Sequence, residues 1–221
     1  QRARADKPDW MSPRMAWRAV QSALPRDAII SSDIGNNCAI GNAYPSFEEG
    51  RKYLAPGLFG PCGYGLPSII GAKIGCPDTP VVGFAGDGAF GIAVTELTAI
   101  GRPEWPAVTM VVFRNYQWGA EKRNSTLWYD DNFVGTELDD QVSYAGIARA
   151  CGLQGVQAKT MDELRAALNT AIEDQMQHGK TTLIEALINQ ELGEPFRRDA
   201  MKKPVSVAGI SAADMREQKS A

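Results

Sequence analysis

Two kinds of hydrophobic patterning alternate along this chain. Short apolar runs with no polar residue at every second position recur at 28–31, 81–85, 108–113, 155–158 and 182–187. Near-continuous runs of that length suit strands buried on both faces. Between them, apolar positions spaced three and four apart predict helices over 67–74, 94–100, 142–151 and 162–178. An earlier helix opens at Ser12–Pro13, a side-chain cap followed by a residue suited to the first turn. Its apolar positions Met15, Ala16, Ala19, Val20, Ala23 and Leu24 carry it to Leu24. Strands alternating with helices predict an α/β protein, in three α/β/α layers around a mostly parallel sheet. Ligands of such sheets bind beyond the carboxyl ends of the strands. The loops after Ile30, Ala85 and Phe113 are therefore the first candidates, and all three are polar or glycine-rich.

With 221 residues, 44% hydrophobic and 22% charged, the chain can bury one large core and carry an appendage. One domain is expected over 12–193, after a linker remnant at 1–11 and before a charged tail at 194–221 with little periodicity. The polar start at Gln1 reads as a segment entered in mid-protein. A formal net charge of -3, without a cluster of Lys and Arg among aromatics, argues against a nucleic acid partner. Cys38, Cys62, Cys76 and Cys151 lack the spacing of a zinc or redox site and read as free thiols of a cytoplasmic protein. No apolar run approaches the roughly 18 residues that suggest a membrane span. The single histidine, His178, stands at a helix end before Gly179 and reads as structural. Without a second histidine no Ser–His–Asp or Cys–His apparatus can be assembled, so demanding chemistry falls to a bound cofactor.

The run Gly86-Asp87-Gly88-Ala89-Phe90-Gly91 follows the apolar stretch 81–85 and matches the spacing of a dinucleotide-binding turn. Asp87 argues against that use, because its carboxylate would face the pyrophosphate with nothing to offset the repulsion. A magnesium ion removes the objection, since it takes carboxylate and phosphate oxygens together. A second oxygen ligand is then required. Asn115 ends the next apolar run, 28 positions after Asp87, an interval that holds one helix and one strand. Parallel strands joined by such a crossover bring both loops to one sheet edge. Glu96, on the intervening helix, reads as a packing or hydrogen-bonding residue. A nicotinamide site is disfavoured because Glu104 precedes the next strand instead of ending it. Trp10, Trp17 and Trp105 read as core or interface residues.

The G-D-G run followed by Asn115 resembles the binding motif of thiamine diphosphate (ThDP) enzymes. The stretch VVFRNYQWGAEKRN at 111–124, the residues Tyr144-Ala145-Gly146-Ile147-Ala148-Arg149-Ala150, and the tail from Gly193 to Pro204 are similar to the sulfoacetaldehyde acetyltransferase family within the acetolactate synthase-like enzymes. The resemblance implies a diphosphate-binding (PP-type) domain of the ThDP fold. Mg2+ would be held by Asp87, Asn115 and the Gln117 carbonyl. Gly86, Gly88 and Ala89 would meet the diphosphate, and so would Gly35, Asn36 and Asn37 in the loop that begins at Asp33. Trp118 and Gly119 would complete the cofactor wall. The Gly60 carbonyl, in GLFGPCGYGLP, would accept from the aminopyrimidine, and Cys62 stands where relatives carry a larger apolar prop. Arg114 stands where the wider family often has a second Asn. The implied reaction converts sulfoacetaldehyde and phosphate to acetyl phosphate and sulfite, with acetolactate synthase-like carboligation or decarboxylation as the alternative. The activating glutamate would come from an N-terminal pyrimidine-binding domain, across a homodimer or homotetramer. Because both substrates are anions, Lys122 and Arg123 are candidates for contacting them, against the alternative of a solvated helix face.

Overall fold

The computed structural model describes residues 9–47, 50 and 52–192; the expected tail and most of the expected leading linker lie outside these residues. Among the described residues six strands form one sheet: β1 (Ile29–Ser32), β2 (Tyr53–Leu54), β3 (Val81–Gly86), β4 (Thr109–Arg114), β5 (Gln154–Ala158) and β6 (Thr182–Leu187). Their order is β2-β1-β3-β4-β6-β5, and each pairing is parallel. The helices of the described residues cover the sheet: α1 (Pro13–Ala23), α2 (Asn36–Gly41), α3 (Gly65–Gly75), α4 (Asp87–Ala93), α5 (Leu97–Ile100), α6 (Gly119–Trp128), α7 (Tyr144–Ala150) and α8 (Met161–Gln177).

The continuous apolar runs divide between two cores. Val82 and Phe84 of β3, Val111 and Phe113 of β4, and Ile184 of β6 pack with Trp17 of α1 and with Leu164 and Leu168 of α8. Their alternate neighbours Val81, Ala85, Met110, Val112 and Leu183 pack on the other face with Ile69 of α3, Phe90 of α4 and Ala148 of α7. Period-two alternation is present in the structure but invisible in hydropathy, because both faces are apolar. Gly83 admits α3: a Cβ there would lie 2.9 Å from Ile69 and 2.6 Å from the Met110 sulfur.

The predicted helix 94–100 in fact starts at Asp87 and is broken by a tight 3-10 turn at Val94–Glu96 before α5. The glycine-rich sequence of α4 hid its periodicity, and the β-branched pair Val94–Thr95 disfavours an unbroken helix. Glu96 is exposed on that turn, so it is not a packing residue. Two helices, α2 and α6, occupy segments without a readable apolar face. The edge strand β2 is only two residues long. Of the tryptophans, Trp17 is in the core, whereas Trp105 is 38% exposed. Met11, at the end of the expected linker, is buried and bridges Ile188 in parallel.

The chain leaves β1 for the edge strand β2 and then returns to β3 on the opposite side of β1. That reversal leaves a crevice at the carboxyl ends of β1 and β3. Gly86 is paired with Phe113, which brings the loops after β3 and β4 to the same edge. The Trp17 ring, 4.8 Å from Phe84 and 5.0 Å from Phe113, donates through Nε1 to the Asn37 carbonyl at 2.8 Å. It thereby ties α1 to the opening of α2 at the crevice. Among the described residues no helix is long and apolar enough to cross a membrane.

Replacing Trp17 by Ala is expected to cost roughly 3–5 kcal/mol, the range for emptying a large aromatic site. Urea unfolding of the full-length protein followed by circular dichroism measures it. A loss below about 1 kcal/mol would show that the face built on Trp17 is not a closed core.

Candidate functional site

The structure gathers the site residues proposed from sequence into one cleft of about 150 Å³. Gly35, Asn36, Asn37, Gly60, Cys62, Gly86, Asp87, Gly88, Ala89, Gln117, Trp118 and Gly119 all line it. Asn115 is 1% exposed and joins the cleft through its main chain, which donates to Asp87. Ile34, Ala120 and Glu121 also line the cleft; sequence reasoning missed them because they stand beside motif residues without motif chemistry of their own. A larger cavity of about 440 Å³ adjoins the cleft and shares Ile34 and Gly35. Its lining is mainly apolar, with Phe47 and Tyr53, and Asp33, its one carboxylate among the described residues, is already engaged, so the polar cleft is the stronger candidate.

Asp87 is 1% exposed, and four donors converge on its carboxylate. Oδ2 accepts from the amides of Asn115 at 3.0 Å and Tyr116 at 2.6 Å and from Arg114 Nη1 at 3.1 Å, while Oδ1 accepts from the Gly88 amide at 3.0 Å. Burial nevertheless outweighs the Arg114 charge and these bonds, pushing the carboxyl up to about 6. A further cation would favour its ionised form. Tyr116 adopts φ of 61°, a left-handed conformation that costs a non-glycine residue roughly 1–2 kcal/mol. The short bond from its amide to Asp87 holds it there.

Arg114 is the main departure from the pattern of the wider family, and it is a buried clamp. It pairs with Asp87 at 3.1 Å and Glu185 at 3.6 Å, all three side chains being 1% exposed. Its Nη2 donates to the carbonyls of Asp139 and Val142, and its guanidinium lies 4.2 Å from the Tyr116 ring centre and 5.1 Å from that of Tyr144. Glu185 in turn accepts from the Ser143 hydroxyl at 2.8 Å and from the Tyr144 and Ala145 amides at 3.3 Å. The Tyr144 hydroxyl donates to the Asp87 carbonyl at 3.0 Å. One arginine thus joins the ends of β3 and β4, the middle of β6 and the loop before α7.

Other residues turn out to hold the cleft together. Asp33, at the start of the expected diphosphate loop, accepts from the amides of Ile34 at 2.8 Å, Gly63 at 3.1 Å and Gly65 at 2.7 Å. It therefore clamps the glycine-rich loop 57–67 instead of facing an anion. The Asn36 side chain is committed as well: Nδ2 donates to the Leu192 carbonyl at 2.6 Å and Oδ1 accepts from Arg123 at 3.1 Å. Only its backbone remains for a ligand. Lys122 is 8% exposed and paired with Glu137 at 2.7 Å, so it is neither a solvated helix face nor an uncompensated cation for substrate anions. Gly88 is required by close approach, since a Cβ there would lie 2.6 Å from the Trp118 ring. Gly60 has φ of +59°, which suits glycine and turns the loop beside Cys62. All four cysteines are free. His178 caps α8 and lies in none of these clusters.

Does this arrangement suit a cation and an anionic ligand? Asn115 Oδ1 and Nδ2, Gln117 Oε1 and Asn37 Oδ1 are buried without a hydrogen-bond partner. Such atoms are satisfied in roughly 90% of cases, so a group of them beside a carboxylate marks a place for a ligand. Among the described residues no group of three or more His, Cys, Asp or Glu side chains could hold a metal by itself. A cation here must draw on amide, carbonyl and ligand oxygens, as Mg2+ does when it binds phosphates. The residues fit both groups.

Comparison with known proteins agrees with this chemistry. Residues 33–186 match the family described as thiamine pyrophosphate enzyme, C-terminal TPP binding domain. A sulfoacetaldehyde acetyltransferase of Roseovarius nubinhibens is 85% identical over 99% of this chain and 36% of its own length. One of Rhodobacter capsulatus is 83% identical over 99% of the chain and 37% of its own length. The chain thus spans little more than a third of these relatives. A solved ThDP-dependent 4-hydroxybenzoylformate decarboxylase of Rhodococcus jostii RHA1 superposes with a TM-score of 0.75 at 22% identity, over 87% of this chain and 35% of that one. At that identity the likeness shows the fold.

The Asp87 carboxyl supplies a pH test. Its value rises from the ordinary 3.8 to about 6, so the folded chain binds this proton more tightly than the unfolded chain. That contribution is complete below 3.8 and is lost as pH rises through about 6. In cofactor-free protein, Asp87→Asn is expected to flatten the stability–pH curve across this window, measured by urea unfolding at several pH values. An unchanged slope would contradict the environment described for Asp87.

Proposed function

Because the chain belongs to the thiamine pyrophosphate enzyme family, as its C-terminal TPP-binding domain, we propose that it is the Mg2+- and diphosphate-holding part of a sulfoacetaldehyde acetyltransferase. The full-length protein would convert sulfoacetaldehyde and phosphate to acetyl phosphate and sulfite. One observation carries the cofactor part: the buried Asn115 Oδ1 has no hydrogen-bond partner and its residue is bonded to the buried Asp87. The substrate part is supported by relatives of that name at 83–85% identity across 99% of the chain.

When bound, ThDP supplies a nucleophilic thiazolium carbon and stabilises the carbanion that such carbonyl chemistry requires. The chain's own residues bind and orient it. Asp87, Asn115 and the Gln117 carbonyl hold the cation. The openings of α2 and α4, at Asn36–Asn37 and Gly88–Ala89, offer amides to the diphosphate. The Gly60 carbonyl would accept from the aminopyrimidine, and Cys62, beside it in the cleft, would support the cofactor where relatives carry a larger apolar side chain. Trp118, packed on Gly88, walls the cleft against water. The activating glutamate is assigned to an N-terminal pyrimidine-binding domain, meeting this one across a homodimer or homotetramer.

The test uses full-length protein with ThDP, Mg2+, sulfoacetaldehyde and phosphate, assayed for sulfite and acetyl phosphate beside Asp87→Ala. Both products are expected from the unchanged protein, and the variant should lose them together with bound ThDP. Asp87-dependent ThDP binding without sulfite would move the substrate reading to an acetolactate synthase-like carboligase. Full ThDP binding by the variant would refute the site.

A further inference from the structure

We propose that the residues following β6 are a positioning strap for the cation loop, with Gln190 as its hub; this rests on the reading of Asp87, Asn115 and Gln117 as the cation's holders. The segment runs back across the loop after β4. The Ile188 amide donates to the Arg114 carbonyl at 3.1 Å, and the Asn189 amide to the Met11 carbonyl at 2.8 Å. Gln190 then touches both remaining cation-holding residues. Its Nε2 donates to the Asn115 carbonyl at 3.1 Å, and its own carbonyl accepts from Gln117 Nε2 at 3.0 Å. Two residues on, the Leu192 carbonyl receives Asn36 Nδ2 at 2.6 Å. Five residues of chain thus join the cation loop to the opening of α2.

The Gln190 amide is itself held by a charged pair. Lys122 and Glu137 lie 2.7 Å apart; Lys122 donates to Gln190 Oε1 at 3.3 Å, and Gln190 Nε2 donates to Glu137 Oε2 at 3.1 Å. Both faces of the amide are engaged, so it cannot rotate without breaking several bonds. The peptide it pins is the one between Asn115 and Tyr116, where the chain enters its strained left-handed turn. The side chain of Asn115, the residue whose carbonyl is pinned, has no hydrogen-bond partner, with Oδ1 available for a cation. Residues that orient metal-holding groups in this way typically change metal affinity 10–100-fold when lost.

The test is a Mg2+ titration of full-length protein at saturating ThDP, read by tryptophan fluorescence, with thermal unfolding of the cofactor-free protein alongside. Gln190→Leu keeps the volume and removes the bonds; it is expected to raise the Mg2+ dissociation constant by about tenfold or more, with full ThDP occupancy restored by added Mg2+. Gln175→Leu is the comparison. Gln175 is a buried amide bonded to Val81 and Thr109 at the opposite end of the sheet. Its loss should lower thermal stability while leaving the Mg2+ constant unchanged. The strap proposal is overturned if Gln190→Leu binds Mg2+ like the unchanged protein, or if Gln175→Leu weakens Mg2+ as much. If Asp87→Ala abolishes the Mg2+ dependence while Gln190→Leu does not shift it, the strap fails and the site reading stands. ThDP binding by the unchanged protein that is indifferent to Mg2+ would refute both.

Discussion

A carboxylate almost sealed from water, Asp87, draws the loop after β4 around itself. The amides of Asn115 and Tyr116 and the guanidinium of Arg114 all reach the same oxygen. These contacts set the left-handed turn at Tyr116, and the turn sets where Asn115 and Gln117 stand. The burial that makes the bonds strong also raises the cost of the charge, so the carboxyl titrates at about 6 instead of the ordinary 3.8. A divalent cation would offset that cost, and a diphosphate would supply the oxygens such a cation still lacks.

Arg114 makes the local charge balance unusual. Buried ion pairs gain little unless each partner is also hydrogen-bonded, and removing one partner strands the other. Here the guanidinium is shared between two carboxylates and two carbonyls, and Glu185 is satisfied by Ser143 and the opening amides of α7. The cluster keeps a net negative charge. It also makes the metal loop part of a wider unit that includes β6 and the approach to α7.

The four inner strands were legible in the sequence because they are buried on both faces and read as unbroken apolar runs. The joint presence of Asp87 and Asn115 was legible because a carboxylate in a glycine-rich turn demands a cation, and a cation demands a second oxygen. Three things were hidden. The short helices α2 and α6 open with Asn, Gly and polar residues whose local signal is that of a turn. Lys122 looked like a cation for anionic substrates, since its partners Glu137 and Gln190 lie 15 and 68 positions away. The role of Asp33, which opens the expected diphosphate loop, gave no signal, since two of the amides it accepts come from Gly63 and Gly65, about 30 residues on. Long-range pairing of polar side chains leaves no periodicity, which is why the contacts of Lys122 and Asp33 were hidden.

On the proposed function, Asp87 and Asn115 hold a divalent cation that anchors the cofactor diphosphate. A crystal structure of the full-length protein with ThDP and Mn2+ in place of Mg2+, with anomalous scattering collected for manganese, tests it most directly. The account predicts one anomalous peak bridging an Asp87 carboxylate oxygen, Asn115 Oδ1, the Gln117 carbonyl and two diphosphate oxygens, at distances near the ~2.1 Å typical of octahedral oxygen sites. A diphosphate bound in the cleft with no peak there, or with the Asn115 side chain turned from it, would contradict the account.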